Sequence, residues 1–308
     1  GVAEVEGDRE RGPDEASLAG GEDRPALAGG GDAPLGERGD DVLGPTVRAD
    51  QHGDVMAEAV AWAARSLPSR PSVPILAGLR ILASSEGVVM SSFDNETSAQ
   101  IEVPATVIDE GEVLVSGKLL ADIARSLPNK PVEFSSDAAR AELVCGSARF
   151  VLQTLPIEDY PNLPEMPAAT GSVPSADFAK AVSQVVVTAS RDELIPVFTG
   201  VRVEIEGDTL SLLATDRYRM ALKELTWNPE STQASGAALV PAKVLNETAK
   251  SMTTGEAVTM SLSSSSVGDG LIGFDGTGTG GTRQITTRLL DGEFPKVRHL
   301  MNVSPTVS

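Results

Sequence analysis

Aromatic residues make up only 4% of the 308 positions of this chain, and cysteine occurs once. Aliphatic side chains must therefore fill any core, and a lone Cys145 excludes an internal disulfide. A chain without disulfides suits a reducing compartment, so a cytoplasmic location is expected. Cys145 lies in the alternating run AELVCGSARFVL, which reads as a strand carrying a buried, inert thiol rather than a nucleophile. No apolar stretch reaches the roughly 18 residues of a membrane span, and no basic start with an apolar block marks a signal peptide. The two histidines, His52 and His299, lie near the ends of the patterned region, so they cannot assemble a catalytic base or a zinc set. P-loop and nucleophile-elbow motifs are missing as well. Gly276-x-Gly278-x-x-Gly281 satisfies GxGxxG, but RQITTRLL follows it and reads as a strand. A dinucleotide fingerprint must open a helix, so this is read as a hairpin loop.

Positive charge is also in deficit: the formal net charge is −19, and it is unevenly spread. Residues 1–54 carry 14 acidic against 5 basic side chains, the rest 30 against 20. Residues 1–44 are rich in Gly, Asp and Glu and lack hydrophobic periodicity. Such a segment cannot bury enough apolar surface to offset chain entropy, so it is read as a disordered acidic leader.

The remainder is a duplication. DVMAEAVAWAARSL (54–67) matches ADFAKAVSQVVVTA (176–189) at a constant offset of 122. The same offset carries Asp94 in SSFDNETSA onto Asp216 in LLATDRYRMA. LVSGKLLADIARSLPNKP (114–131) returns as LVPAKVLNETAKSMTTG (239–255), and ARFVLQTLPIEDYPNLPEM (148–166) as TRQITTRLLDGEFPKVRHLM (282–301). A period near 120 residues is too long for a solenoid unit, so each copy is a domain. The spans are 45–168 and 169–298, with 299–308 a stub beyond them. Each copy reads helix, strand, strand, helix, then several strands; GVRVEIEGDTLSLLATD is a hairpin across a Gly-Asp turn. In LLADIARSL, Leu119, Leu120, Ile123 and Leu127 share a helix face. The fold class is α+β, with antiparallel sheets and helices on one face.

Lys118 and Arg125 recur as Lys243 and Lys250, and Arg70 as Arg191. Residues i and i+7 differ by about 20° around a helix, so each pair shares a face away from the apolar stripe. Basic faces repeated in an acidic chain suit a phosphate backbone, where charge is needed without sequence reading. Aromatics do not interleave with these bases, which favours duplex over single-strand stacking. Asp94 and Asp216 recur in separate domains and are read as turn residues rather than a catalytic pair.

The stretches LVSGKLLADIARSLPNKPVEF, ARFVLQTLPIEDYPNLPEMP, LIPVFTGVRVEIEG and ATDRYRMALKELTW resemble the bacterial DNA polymerase III beta sliding clamp family, most nearly its actinobacterial branch, over about residues 46–301. The resemblance implies tandem clamp-fold domains, three per chain, with two chains closing head to tail around double-stranded DNA. It implies a non-catalytic subunit that tethers the replicative polymerase for processive replication, with no cofactor and no metal. The DNA-facing residues would be Arg70, Lys118, Arg125, Arg191, Lys243 and Lys250. A groove for short peptides of the DNA polymerase III alpha subunit and the clamp loader would be walled by Phe198, Thr215, Arg217, Arg219, Met220, Pro241 and Leu245. The subunit interface would involve Arg149, Phe150 and Leu152. Two departures stand out: a third domain is expected and only two copies are found, and the acidic leader has no counterpart. With the second-domain end not shaped to receive the first-domain edge, a monomer is expected, with weak association through that edge. The alternative is an acidic two-domain interaction module that binds clamp-type peptides without encircling DNA.

Overall fold

The computed structural model describes residues 44–263 and 270–301. The leader expected at 1–44 lies outside the described residues except for Gly44, as does the stub from 302 onward. The first half runs β1 (Thr46–His52), α1 (Gly53–Ala63), β2 (Gly78–Ser84), β3 (Gly87–Phe93), β4 (Thr97–Val103), β5 (Thr106–Asp109), β6 (Gly111–Ser116), α2 (Gly117–Ala124), β7 (Pro131–Ser136), β8 (Arg140–Cys145) and β9 (Ala148–Leu155). The second half repeats this order: β10 (Gly171–Pro174), α3 (Ser175–Val185), β11 (Gly200–Glu206), β12 (Thr209–Thr215), β13 (Met220–Thr226), β14 (Asn228–Pro229), β15 (Ser235–Pro241), α4 (Ala242–Ser251), β16 (Ala257–Leu262), β17 (Leu271–Gly278) and β18 (Gly281–Arg288). The Gly-Asp hairpin joins β11 to β12, with Gly207 at φ +59°, a conformation that costs glycine nothing. The GxGxxG stretch lies in the β17–β18 hairpin and opens no helix.

All strand pairings are antiparallel. Strands β13-β12-β11-β15 form one sheet; the other fourteen form a sheet running through both halves. The halves meet where β18 pairs with β4, Thr282 opposite Glu102 through Thr287 opposite Thr97. Because paired residues share a face, that ladder fixes the helices relative to the sheet. Phe178 of α3 packs on Phe274 of β17, ring centroids 5.8 Å apart, and Phe274 stands opposite Ile285. Two residues along the same face of β18, the Arg283 guanidinium lies 5.0 Å from the centroid of Trp62 in α1. α1 packs with α2 on the strands of the first half, whereas α3 reaches β10 and β16 of the continuous sheet and, with α4, covers β11, β12, β13 and β15 of the four-stranded sheet.

The cores are aliphatic, as the composition requires: Leu79, Ile101, Leu120, Val182, Leu212, Leu245 and Ile272 are all buried. Cys145 is buried too, as expected of an inert thiol. Leu119 departs from the expected stripe. It is 47% exposed, because Gly117, Leu120, Ala121 and Ala124 turn the inward face of α2 past it. Among the described residues β13 ends the four-stranded sheet and occupies the place that β4 holds in the first half, where β4 receives β18.

Candidate functional site

Proline stands at the N-cap of α4, where its lack of an N–H costs nothing and its fixed φ starts the helix; Pro241 has φ −53°. From there Leu245, Thr248 and Ala249 turn into the core, which leaves Lys243 and Lys250 exposed one above the other. In α2 the same arithmetic exposes Lys118 and places Arg125 at the C-cap, where Nη1 donates to Asp122 Oδ1 at 2.6 Å. Both partners are well exposed, so this pair adds little stability and leaves the guanidinium free to exchange partners. Arg70 and Arg191 are exposed in the loops that follow the first helix of each half. All six expected DNA-facing residues therefore reach solvent from helix faces or from loops beside them.

The residues expected to wall a peptide groove converge around the turn from β12 to β13. Asp216 Oδ1 accepts the backbone N–H groups of Tyr218 and Arg219 at 3.1 and 3.0 Å, and Arg219 Nε donates to Oδ2 at 2.8 Å. The first-half turn is its copy: Asp94 Oδ1 accepts from Glu96 and Thr97 at 3.0 and 2.7 Å. Both aspartates hold turns, as their separate placement predicted. The next residue is left-handed in both, Asn95 at φ 78° and Arg217 at φ 79°. Asparagine tolerates that region and arginine does so less readily, so the second turn is the more strained. Thr215 is buried and ties the turn together, its Oγ1 donating to Arg219 O at 2.8 Å and accepting from Arg217 N. Arg217 lies over Phe198, its guanidinium 5.7 Å from the ring centroid.

Arg217, Arg219 and Pro241 line a surface cavity of about 1170 Å³, together with Arg191, Lys243 and Lys250. Residues assigned from sequence to two separate surfaces thus share one basic concavity in the second half. Phe198 and Met220 are half-buried beside this region. Leu245 is corrected: it has no exposed surface and packs in the core beneath α4, because its place on the helix lies opposite Lys243. Sequence reasoning missed Tyr218 and Leu194, 90% and 89% exposed on the neighbouring loops. It also missed Arg298, which reaches back to Glu204 at 2.7 Å and to Glu224. An apolar pair inside a loop-like, charge-flanked stretch was the available signal for Leu194.

At the expected subunit interface, Leu152 is buried and Phe150 half-buried, both facing the first-half core, while Arg149 is exposed and bonded to Glu142 at 2.8 Å. Val151 between them is 58% exposed and presents the apolar surface of that edge.

The turn has a titration signature. Arg219 holds the Asp216 carboxyl down at about 2, mainly through its side-chain hydrogen bond and then through its backbone N–H. A carboxyl depressed on folding stabilises the folded state above its unfolded pKa, and that contribution is lost as pH falls toward the folded value. Asp216→Asn is therefore expected to flatten the pH dependence of stability between about pH 4 and pH 2. Urea midpoints collected across that range check it; parallel curves for wild type and variant would refute the assignment.

Residues 52–164 match the family model of the DNA polymerase III beta subunit N-terminal domain, and residues 172–296 that of its central domain. The chain belongs to the DNA polymerase III beta subunit family. A beta sliding clamp of Streptomyces coelicolor is 58% identical over 247 residues, which cover 80% of this chain and 65% of that protein. A beta sliding clamp of Micrococcus luteus is 47% identical over 254 residues, covering 82% of this chain and 80% of that one. The crystal structure of the DNA polymerase sliding clamp from Bacillus subtilis superposes with a TM-score of 0.73 at 24% identity, covering 83% of this chain and 67% of that one. The tandem clamp fold of the beta subunit family is thus the fold of this chain. It spans about two thirds of the length of the Streptomyces relative. No helix among the described residues is long and apolar enough to cross a membrane.

Proposed function

We propose that this chain is a sliding clamp of DNA polymerase III, a non-catalytic subunit whose helix faces ride on duplex DNA while the replicative polymerase is held nearby. One observation carries the reading. A sheet runs continuously through both halves, and Lys118, Arg125, Lys243 and Lys250 are exposed at matching places on, or at the end of, the second helix of each half. Such a surface meets phosphates by charge and reads no base, which suits sliding. Six exposed basic side chains at repeated places give a chain of net charge −19 local positive charge that DNA tolerates. Fluorescence anisotropy with two unrelated duplexes tests it. Binding should be equal for both, stronger than for single strands, and steeply weakened by salt. An acidic interaction module that never touches DNA would bind neither duplex even at low salt.

The basic cavity of the second half supports a partner site for short peptides of the polymerase alpha subunit and the clamp loader. Arg217 and Arg219 at its rim suit an acidic or carboxamide group, and Phe198 with Met220 suits apolar anchors. Met220→Ala is expected to weaken a clamp-binding peptide by about 1 kcal/mol or more, the scale of a lost anchor contact. Calorimetric titration of such a peptide checks it, and equal affinities for wild type and variant would remove Met220 from the site.

A further inference from the structure

Five cations line the concavity of the second half, about 1170 Å³ in volume: Arg191, Arg217, Arg219, Lys243 and Lys250. Three carboxylates share its wall, Asp192, Glu193 and Asp216. Asp216 is taken by Arg219, whose Nε donates to Oδ2 at 2.8 Å, and Asp192 Oδ1 accepts the backbone N–H of Leu194 at 3.0 Å. Among the described residues, Arg191, Arg217, Lys243 and Lys250 have no ion-pair partner. Four unpaired cations around one concavity make a local field that attracts anions, in a chain whose net charge is −19.

The first half supplies an internal comparison. It keeps Arg70, Lys118 and Arg125 where the second half has Arg191, Lys243 and Lys250. At the offset of 122, Arg217, Tyr218 and Arg219 are replaced by Asn95, Glu96 and Thr97. Glu96 faces Arg288 at 3.9 Å, and the Thr97 hydroxyl meets that of Thr287 at 2.9 Å. The additional cations and the aromatic ring therefore belong to the second half alone, and a repeated contact with duplex phosphates does not account for them. The apolar residues that suit a peptide, Phe198 and Met220, lie outside the cavity wall. Every residue of that wall falls within 183–250, inside the match to the central domain, so the site is whole in this half.

Spacing selects the ligand. Lys243 and Lys250 stand two turns apart on α4, about 10 Å along its axis. One phosphate cannot meet both, whereas a linear chain of phosphates can run between them with Arg191 and Arg217 on the walls. Arg217 is held in place for such a contact: its backbone sits at φ 79°, and its guanidinium lies 5.7 Å from the Phe198 ring centroid and 5.9 Å from that of Tyr218. A guanidinium fixed by two rings presents its N–H fork to a phosphate at little cost in side-chain entropy. Tyr218, 90% exposed, offers a ring face beside it on which a nucleobase can stack.

We propose that this concavity is a binding site for a linear polyphosphate, either the triphosphate of a nucleotide or an inorganic chain. Arg191, Lys243 and Lys250 are also the cations assigned to duplex DNA, so a bound polyphosphate displaces duplex from the second half. That consequence rests on the DNA reading, and the site itself does not.

Calorimetric titration of the 308-residue chain at fixed ionic strength, with tripolyphosphate, ATP and orthophosphate in turn, tests the site. Tripolyphosphate should bind with a Kd below about 1 mM, and orthophosphate at least about tenfold more weakly. Equal affinities for ATP and tripolyphosphate would assign recognition to the phosphate chain alone. Tighter binding of ATP, brought down to the tripolyphosphate level by Tyr218→Ala, would add the base. Arg217→Gly removes the guanidinium and places at φ 79° a residue that adopts it freely, so folding is kept. It should weaken tripolyphosphate about tenfold, the scale of a lost charge-assisted hydrogen bond. Arg140→Ala, which removes the same unit of charge from an exposed place in the first half, should leave the affinity unchanged. No tripolyphosphate binding up to about 10 mM would overturn the proposal. So would orthophosphate binding as tightly, or an Arg217→Gly affinity equal to that of the wild type. Polyphosphate binding without any duplex binding would refute the DNA reading and leave this site standing.

Discussion

Arg283→Ala lowers the unfolding free energy by about 3 kcal/mol, the range for removing one member of a buried charged network. Arg283 is 3% exposed at the junction of the halves. Its Nη1 donates to Ser251 O at 2.8 Å, its Nη2 to Thr279 O and to Glu58 Oε1 at 3.5 Å, and its plane lies over Trp62. Alanine leaves two carbonyls without their donor, removes a desolvated cation from the indole face, and opens a cavity beside α1. Burial pushes the guanidinium pKa down and Glu58 pushes it back up, so the carboxylate helps hold the buried charge. Because the residue fastens one half to the other, urea unfolding of the variant should separate into two transitions where the wild type shows one. A single transition at the wild-type midpoint would show that the β18–β4 ladder alone joins the halves.

The second large effect is on DNA. Reversing Lys243 and Lys250 to glutamate should cost about tenfold or more in duplex affinity at low salt and reduce the slope of log K against log salt by about two. Both side chains are exposed on one face of α4 and line the basic cavity with Arg191, Arg217 and Arg219. The reversal substitutes repulsion for attraction at two adjacent phosphate positions, and neither lysine packs against the core, so folding should be preserved. Anisotropy titrations at several salt concentrations give affinity and slope together. An unchanged slope would move the DNA path away from α4.

Much of the fold was legible because it was written twice. The offset of 122 located α3, β12 and the Asp216 turn from their first-half copies, and the period-2 runs located the hairpins. Leu119 was misplaced because four apolar residues in LLADIARSL fit a helix stripe of more than one phase, and only the packing of Leu120 and Ala124 decides between them. Leu245 was misassigned for the opposite reason: nearness in sequence to Pro241 and Lys243 says nothing about which way a helix turns. The partnership of Trp62 with Arg283 could not be read at all, since it depends on a strand pairing between two copies. For the basic residues, repetition identified the positions, and the fold added that all six are exposed and that Arg191, Lys243 and Lys250 line one cavity.

The β4–β18 ladder also sets a clock for synthesis. Thr97 and Thr287, whose hydroxyls meet at 2.9 Å, are 190 positions apart. On a ribosome adding about 5 to 20 residues per second, β4 emerges roughly 10 to 40 seconds before the strand that covers it. Throughout that interval the β4 edge lacks its β18 partner, with Ala99 and Ile101 on the uncovered strand. Neighbouring nascent chains on the same message expose the same edge at the same stage. The residues of β4 are therefore shaped by two demands, a tight fit to β18 at the end and reluctance to pair with anything before it arrives. The polar positions Thr97, Ser98, Gln100 and Glu102, interleaved with Ala99 and Ile101, meet the second demand during the wait.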